Sequence, residues 1–424
     1  MAMTRRVARS ASGALLALIA MLTMGCPSRE KVAAQGPYAS DVADAIPKIE
    51  KVTGLKFKKQ PVLQRRTKEQ VHDFLVKQFE DERSQADLNA QQILLKRLGL
   101  VPENFDLRSL MLDLLTEQIV GFYDPGTKVL YVIDGAKPQD AAFVVEHELV
   151  HALQDQYTNI DSLLHMKGDD DRVLAAQSVM EGQATLVPIQ SMLGPAAGLP
   201  GGWDKVRELI RENQGSMPKF AAAPQILQET LLFPYLSGAE FMRRYQDQGH
   251  SGMPLGRDMP VSSTQIMHAD AYFGAHREQP VAITLPAPQG ATSDYQNDMG
   301  EFETRVFLFQ HLKDQNTSIL SADGWAGDRY MILHTPHGDG LAWVTVWRSA
   351  VDAGEFRTAM QKVFTARFPK VQATEGAQGT HLVADKRSMV LSGGDVGGHA
   401  VVMYVDVPEG ERTNVLDLSK IQIR

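Results

Sequence analysis

Residues 147 to 151 read His-Glu-Leu-Val-His, inside the run Phe143-Val-Val-Glu-His-Glu-Leu-Val-His-Ala-Leu-Gln-Asp155. Its apolar spacing predicts a helix from end to end. Helix positions four apart lie on one face a turn apart, so His147 and His151 can present two imidazole nitrogens to one metal ion. Glu148 projects beside them, where a carboxylate can act as general base on an activated water. A chance H-E-x-x-H in a chain with 12 histidines arises at roughly a few per cent, so the pattern needs support from its surroundings. Leu149, Val150, Ala152 and Leu153 supply some, because they place the polar residues in or beside a packed core. Buried His and Glu side chains require partners, and a metal provides one.

A catalytic zinc takes three protein ligands and keeps one position open. Among the downstream candidates His165, Glu181, His250, His268 and His276, the strongest is Glu181, 30 residues past His151 in Ser178-Val-Met-Glu-Gly-Gln-Ala-Thr185. A second helix crossing the first after a loop brings such a Glu against the histidines, and Gly182 and Ala184 leave room for close approach. Thr185, four residues on from Glu181, is expected to hydrogen-bond the outer nitrogen of a liganding histidine. His268 and Tyr272 are candidates for stabilising a developing oxyanion, with Tyr157 a weaker one. His334 and His337, around Thr335-Pro336, read as a turn between strands. Trp325, Asp328 and Arg329 read as a structural corner with an Arg–Asp pair and a buried indole.

The H-E-x-x-H motif with a downstream Glu in an E-G-x-A context resembles the gluzincin clan of zinc metallopeptidases, although the interval from His151 to Glu181 is longer than thermolysin's. More closely, His147-Glu-Leu-Val-His-Ala-Leu-Gln-Asp-Gln156 followed by Glu181-Gly-Gln-Ala-Thr resembles a group of predicted extracytoplasmic metallopeptidase-like proteins of bacteria and archaea. Phe233-Pro-Tyr235, Gly238-Ala-Glu-Phe241, Ser262-Ser-Thr-Gln-Ile-Met-His268 with Tyr272, and Gly324-Trp-Ala-Gly-Asp-Arg-Tyr330 share in that likeness, which runs from about residue 110 to 370. The resemblance implies Zn2+ held by His147, His151 and Glu181, with Glu148 as the base.

Several elements must position these residues. Thr67 is a predicted N-cap for a helix from Lys68 to Leu98, stopped by Gly99, and a second helix spans Leu107 to Gln118. Two β-prone runs, 119–124 and 128–133, flank Pro125-Gly126-Thr127 and predict a hairpin. Zincins keep an edge strand above the H-E-x-x-H helix, on which substrate backbone can pair. Pro138 starts that helix, and the acidic turn Asp169-Asp-Asp171 opens another from Arg172 to about Met192. A Pro/Gly-rich loop over 194–202 follows, then helical stretches near 205–211 and 225–246, the latter broken at Pro234. Residues 254–272 read as irregular. The expected organisation is a targeting segment at 1–25, a tether at 26–40, a zincin-like domain at 41–285, a linker at 286–300 and a C-terminal domain at 301–424. The second domain is expected to hold helices at 301–313 and 351–368 and strands at 329–334, 341–348, 381–384, 388–392 and 400–407. The fold class is α+β: a mainly helical zincin-like metallopeptidase domain with an edge β-hairpin, then a smaller α+β domain.

Arg5, Arg6 and Arg9 precede an apolar stretch from Ala11 to Met24, the pattern of a secretory signal. It ends Leu22-Thr-Met-Gly-Cys26, which resembles a bacterial lipobox with Leu one place further out than usual. The only cysteine, Cys26, would then carry lipid. A lone cysteine forms no internal disulfide, so the exported fold must be held by its core and any metal it binds. Removing the signal takes away three arginines and moves the formal charge from −8 to −11, and no basic tract stands out, which argues against nucleic acid as a partner. The expected function is a lipid-anchored zinc metallopeptidase of the bacterial cell envelope, on its periplasmic side or at the cell surface, acting on a peptide or protein substrate. The alternative is a non-catalytic envelope lipoprotein whose zinc site is structural or vestigial and which binds a partner.

Overall fold

The computed structural model describes residues 39–424, apart from 81, 119, 134–137, 194–207, 209–210, 213–214, 216 and 377–378. The expected signal segment, Cys26 and almost all of the tether lie outside the described residues, as do the loop at 194–202 and most of the stretch at 205–211.

The first helix, α1 (Ala39–Thr53), begins where the tether was expected to end. It buries Val42, Ala45 and Ile49 against the helix that carries the histidines. After β1 (Val62–Arg66), Thr67 forms a full capping box with Gln70, each side chain bonding the other's backbone N–H, at 3.3 and 3.0 Å. The helix it starts is shorter than expected. It ends at Glu80 as α2 (Lys68–Phe79), and a separate α3 (Glu82–Arg97) follows, closed by Gly99 at φ +69°. Next come α4 (Leu107–Gln118), β2 (Gly121–Asp124) and β3 (Val129–Ile133). The hairpin turn is secured by the buried Asp124 carboxylate, which accepts from Gly126 N–H at 2.8 Å and from the Thr127 hydroxyl at 2.7 Å. β1 pairs parallel with β3, so the sheet order is β1-β3-β2 and β2 is an edge.

Helix α5 (Pro138–Gln154) carries the motif, a short α6 (Ile160–Leu164) follows, and α7 (Asp170–Leu193) runs back along α5. The direction is set by Gln154 bonding Met180 and by Glu146 bonding Ser191. After α8 (Pro218–Ala222), α9 (Gln225–Asp247) continues unbroken through Pro234, contrary to the expected break. It crosses α7 at a glycine pair. A Cβ on Gly182 would overlap the carbonyl of Gly238, and one on Gly238 would overlap that of Ser178. The room that Gly182 provides therefore admits α9. The stretch expected to be irregular contains α10 (Ser263–Met267) and α11 (Ala269–Phe273), with Ser262 to Ile266 buried.

The rest of the chain comprises β4 (Ile283–Thr284), β5 (Thr292–Asn297), α12 (Gly300–Leu312), α13 (Gln315–Ala322), β6 (Trp325–Thr335), β7 (Gly338–Trp347), α14 (Ala350–Arg367), β8 (Thr374–Gly376), β9 (Gly379–Ala384), β10 (Arg387–Val396), β11 (His399–Pro408) and β12 (Gln422–Ile423). Seven of these strands form one antiparallel sheet in the order β5-β6-β7-β11-β10-β9-β8. The architecture is mixed α+β. The 286–300 stretch, expected as a linker, supplies the edge strand β5, and one buried cluster runs from Val71 through Phe233 and Phe302 to Tyr404. Phe233 and Phe302 meet at 3.9 Å between ring centroids. Asp328 ties the strands to α12, accepting from the indoles of Trp325 (3.1 Å) and Trp343 (2.9 Å) and from the N–H groups of Met299 and Gly300. Arg329 pairs with Asp298 at 3.7 Å rather than with Asp328. His334 lies between Asp294 and Asp339 at the β6–β7 turn, and His337 bonds Glu411.

The glycine crossing leads to a direct expectation. Gly182→Ala should destabilise the protein by about 3 kcal/mol, because backbone rather than a flexible side chain must move. Urea unfolding followed by tryptophan fluorescence measures it. A loss below about 1 kcal/mol would show that α7 and α9 can separate at little cost.

Candidate metal centre

Helix α5 places His147 and His151 one turn apart, and α7 places Glu181 opposite them. The Nε2 atoms of the two histidines are 3.2 Å apart, and Glu181 Oε2 lies 3.2 Å from that of His147 and 3.4 Å from that of His151. Three ligands of a tetrahedral ion at about 2.1 Å stand about 3.4 Å from one another, so the triangle already has the edge lengths of a zinc-type site. Among the described residues this is the one group of three or more His, Cys, Asp or Glu side chains clustered closely enough to hold an ion. Two imidazoles and a carboxylate are also a donor set suited to a divalent transition metal. The His147 side chain is 12% exposed and the other two 4%, so the group opens to solvent on the His147 side.

The orientation of His151 is set by a buried chain of amides. Gln183 Nε2 donates to Gly252 O (2.8 Å), which directs Gln183 Oε1 to Gln154 Nε2 (3.0 Å). Gln154 Nε2 also donates to Met180 O (2.9 Å), leaving Gln154 Oε1 to accept from His151 Nδ1 at 2.9 Å. With its proton on Nδ1, His151 turns the Nε2 lone pair toward His147 and Glu181, as a metal ligand requires. This role was expected of Thr185. Thr185 is buried, but among the described residues no hydrogen bond joins it to either histidine. The residue that orients the ring is instead on the ring's own helix, three positions on.

Glu148 adjoins the side chains of His147, His151 and Glu181 and reaches the hairpin. Its Oε2 accepts from Tyr123 N–H on the edge strand β2 at 2.7 Å. The Tyr123 hydroxyl donates to Asp155 at 2.8 Å and Lys128 pairs with the same carboxylate at 2.5 Å, so the hairpin is fastened to the end of α5. Burial raises the Glu148 pKa above the usual carboxylate value, against the lowering effect of the two histidines and Tyr123 N–H.

A residue to which the sequence assigned no role adjoins the group. Tyr235 of α9 stacks on His147 with ring centroids 6.2 Å apart and planes 20° apart. Burial raises its phenol well above the ordinary value, reinforced by the nearby charges of Glu181 and Glu148. The phenol therefore keeps its proton and remains a donor. The two candidates put forward for this role are engaged elsewhere. His268 Nε2 bonds Glu301 at 2.7 Å, and the Tyr272 hydroxyl donates to Asp258 O at 2.6 Å beneath the Arg277 guanidinium. Tyr157 bonds the backbone of Lys56. None of the three joins the cluster. Tyr235 lies in the Phe233-Pro-Tyr235 segment, three residues before Gly238, and only the helix crossing delivers it.

A family model described as Domain of unknown function (DUF8575) matches residues 289–414, from before β5 to beyond β11, so every residue of the candidate metal centre lies outside it. No curated protein and no solved structure matches the chain.

Two outcomes are expected. Gln154→Leu should weaken divalent-metal affinity by about 10- to 100-fold, whereas Thr185→Val should leave it unchanged, measured by competition with a chromogenic chelator. A reversed order would remove the amide chain from the account. The second concerns pH. Burial alone would lower the pKa of His151, but Glu181, Glu148 and Gln154 raise it to about 9, and burial of Glu181 is outweighed by the histidines, which lower it to about 2. In metal-free protein the raised His151 stabilises the fold fully below about 6.5, and that contribution is lost as pH climbs through about 9. The lowered Glu181 contributes above about 4.5 and is lost as pH falls through about 2. Metal uptake at pH 7 must displace the His151 proton, so calorimetry in buffers of different ionisation enthalpy should show about one proton released per ion, with affinity climbing toward pH 9. Uptake without proton release would contradict the pairing.

Proposed function

We propose that the protein is a zinc-dependent peptide hydrolase of zincin-like architecture. The observation that carries this reading is that Glu148 stands beside the His147–His151–Glu181 group without belonging to it. A purely structural site has no use for an additional buried carboxylate on the adjacent helical position.

A zinc ion held by those three side chains would supply Lewis acidity and bring the pKa of a water toward about 7. The remaining work falls to the protein. Glu148, its Oε2 held by Tyr123 N–H, would use its other oxygen to take the proton of the attacking water and return it to the leaving nitrogen. Tyr235, protonated and beside Glu181, is the donor for the carbonyl oxygen as negative charge develops there. Gln154 and Gln183 keep His151 in one tautomer. The peptide reading draws on β2, an edge strand against α5, which can pair with an extended substrate except where Tyr123 N–H is already bonded to Glu148. Placement at the cell envelope through a lipid on Cys26 rests on the N-terminal sequence. Among the described residues no helix is long and apolar enough to cross a membrane.

The test is cleavage of a denatured-protein library by the purified soluble chain loaded with zinc. Glu148→Gln should retain metal and lower turnover on the order of 10³-fold. Tyr235→Phe should retain metal and lower kcat by about 100-fold with little change in KM. Stoichiometric zinc with no difference between wild type and Glu148→Gln would replace this proposal with a binding lipoprotein.

A further inference from the structure

A cavity of about 440 Å³ opens between α9 and α12. Its apolar wall includes Leu236 of α9 and Phe302, Val306 and Phe309 of α12. Three arginines and two glutamates also line it, and their pairing is uneven. Arg244 bonds Glu240 at 2.9 and 3.2 Å, and Arg211 reaches Glu229 at 3.4 Å. Arg305 makes no hydrogen bond or ion pair among the described residues. Burial holds its pKa below the usual guanidinium value, against the opposing charges of Glu301 and Glu229. A guanidinium half out of water with no carboxylate against it lacks the partner that normally offsets its desolvation.

We propose that this cavity binds a small monoanionic carboxylate with an apolar body, its head on Arg305 and its body along Leu236, Phe302, Val306 and Phe309. The planar fork of arginine matches a carboxylate in two parallel hydrogen bonds. Glu229 and Glu240 disfavour a second negative charge, which selects a monoanion over a phosphate. A mixed wall with one convergent charged group is the usual make-up of a small-molecule site, and the volume lies within the range of such sites. The cavity uses a different face of α9 from Tyr235, so the proposal stands apart from the metal reading.

Such a carboxylate is found on an alkyl acid or at the C-terminus of an apolar peptide, and the experiment separates them. Isothermal titration of the full soluble chain uses decanoate, N-acetyl-Leu-Leu with a free carboxylate, and decanol as the uncharged control. At least one acid should bind with a Kd on the order of 10–100 µM, about 10-fold tighter than decanol. Binding of decanoate alone assigns the site to alkyl acids, and binding of the dipeptide alone assigns it to peptide termini. Arg305→Gln should weaken the acid at least about 10-fold and leave decanol unchanged, and Arg305→Lys should fall between. Ser237→Phe, which fills the cavity without touching the charge, should abolish binding of all three. The proposal is overturned if neither acid binds more tightly than decanol, or if Arg305→Gln binds as wild type does.

Discussion

A buried carboxylate facing two imidazoles governs the arrangement of the helical half of this protein. Glu181 is out of water, and an ionised carboxylate there must have cationic or hydrogen-bonded partners. It finds them 3.2 and 3.4 Å away on α5, which requires α7 to run close against that helix along the apolar contact of Leu149, Leu153, Ala184 and Val187. The next residue, Gly182, faces the other way and lets α9 in. Two adjacent residues of α7 thus hold two neighbours in place, one by charge and the other by the absence of a side chain. The approach of α9 in turn carries Tyr235 over His147. Charge, helix crossing and aromatic contact are one constraint seen from three helices.

The environments of the two acidic residues differ in a way that suits different tasks. Glu181 is surrounded by imidazoles and held ionised, as a ligand must be. Glu148 is buried with a single backbone donor, and burial raises its pKa, which makes it a stronger base than an ordinary carboxylate. Their separation follows from helical geometry, since position 148 is rotated about 100° from 147 and so meets the hairpin rather than α7. The hairpin cannot drift, because Asp155 at the end of α5 holds both Tyr123 and Lys128. On the proposed reading, the base and the strand that would receive substrate are positioned by the same contact.

The candidate ligands could be read from sequence because helical periodicity fixes His147 against His151, and a Glu beside a glycine on the following helix is a local pattern. Tyr235 stood only within the Phe233-Pro-Tyr235 likeness, and its place over His147 could not be read, since a single tyrosine in a helix has no spatial signal until the partner helix is known. Thr185 was the natural choice for orienting a histidine by spacing from Glu181. The ring of His151 instead bonds Gln154 on its own helix, whose amide is satisfied by groups far away in the chain. Strand β1 pairs in parallel with β3 across more than sixty residues, a contact that no local pattern encodes. Strand β5 is an exposed edge with a polar sequence after a Pro/Gly-rich stretch, which is why it resembled a linker. The strands β6, β7 and β11 are far more apolar, and their positions followed from composition alone.

The proposed chemistry depends on one ion held by His147, His151 and Glu181. X-ray absorption spectroscopy of the zinc-loaded chain tests that most directly. It should show one ion per chain, with two imidazole nitrogens and a carboxylate oxygen at about 2.0–2.2 Å, and with the imidazole signature reduced in His151→Ala. Failure to retain a stoichiometric ion, or a first shell without imidazole, would contradict it.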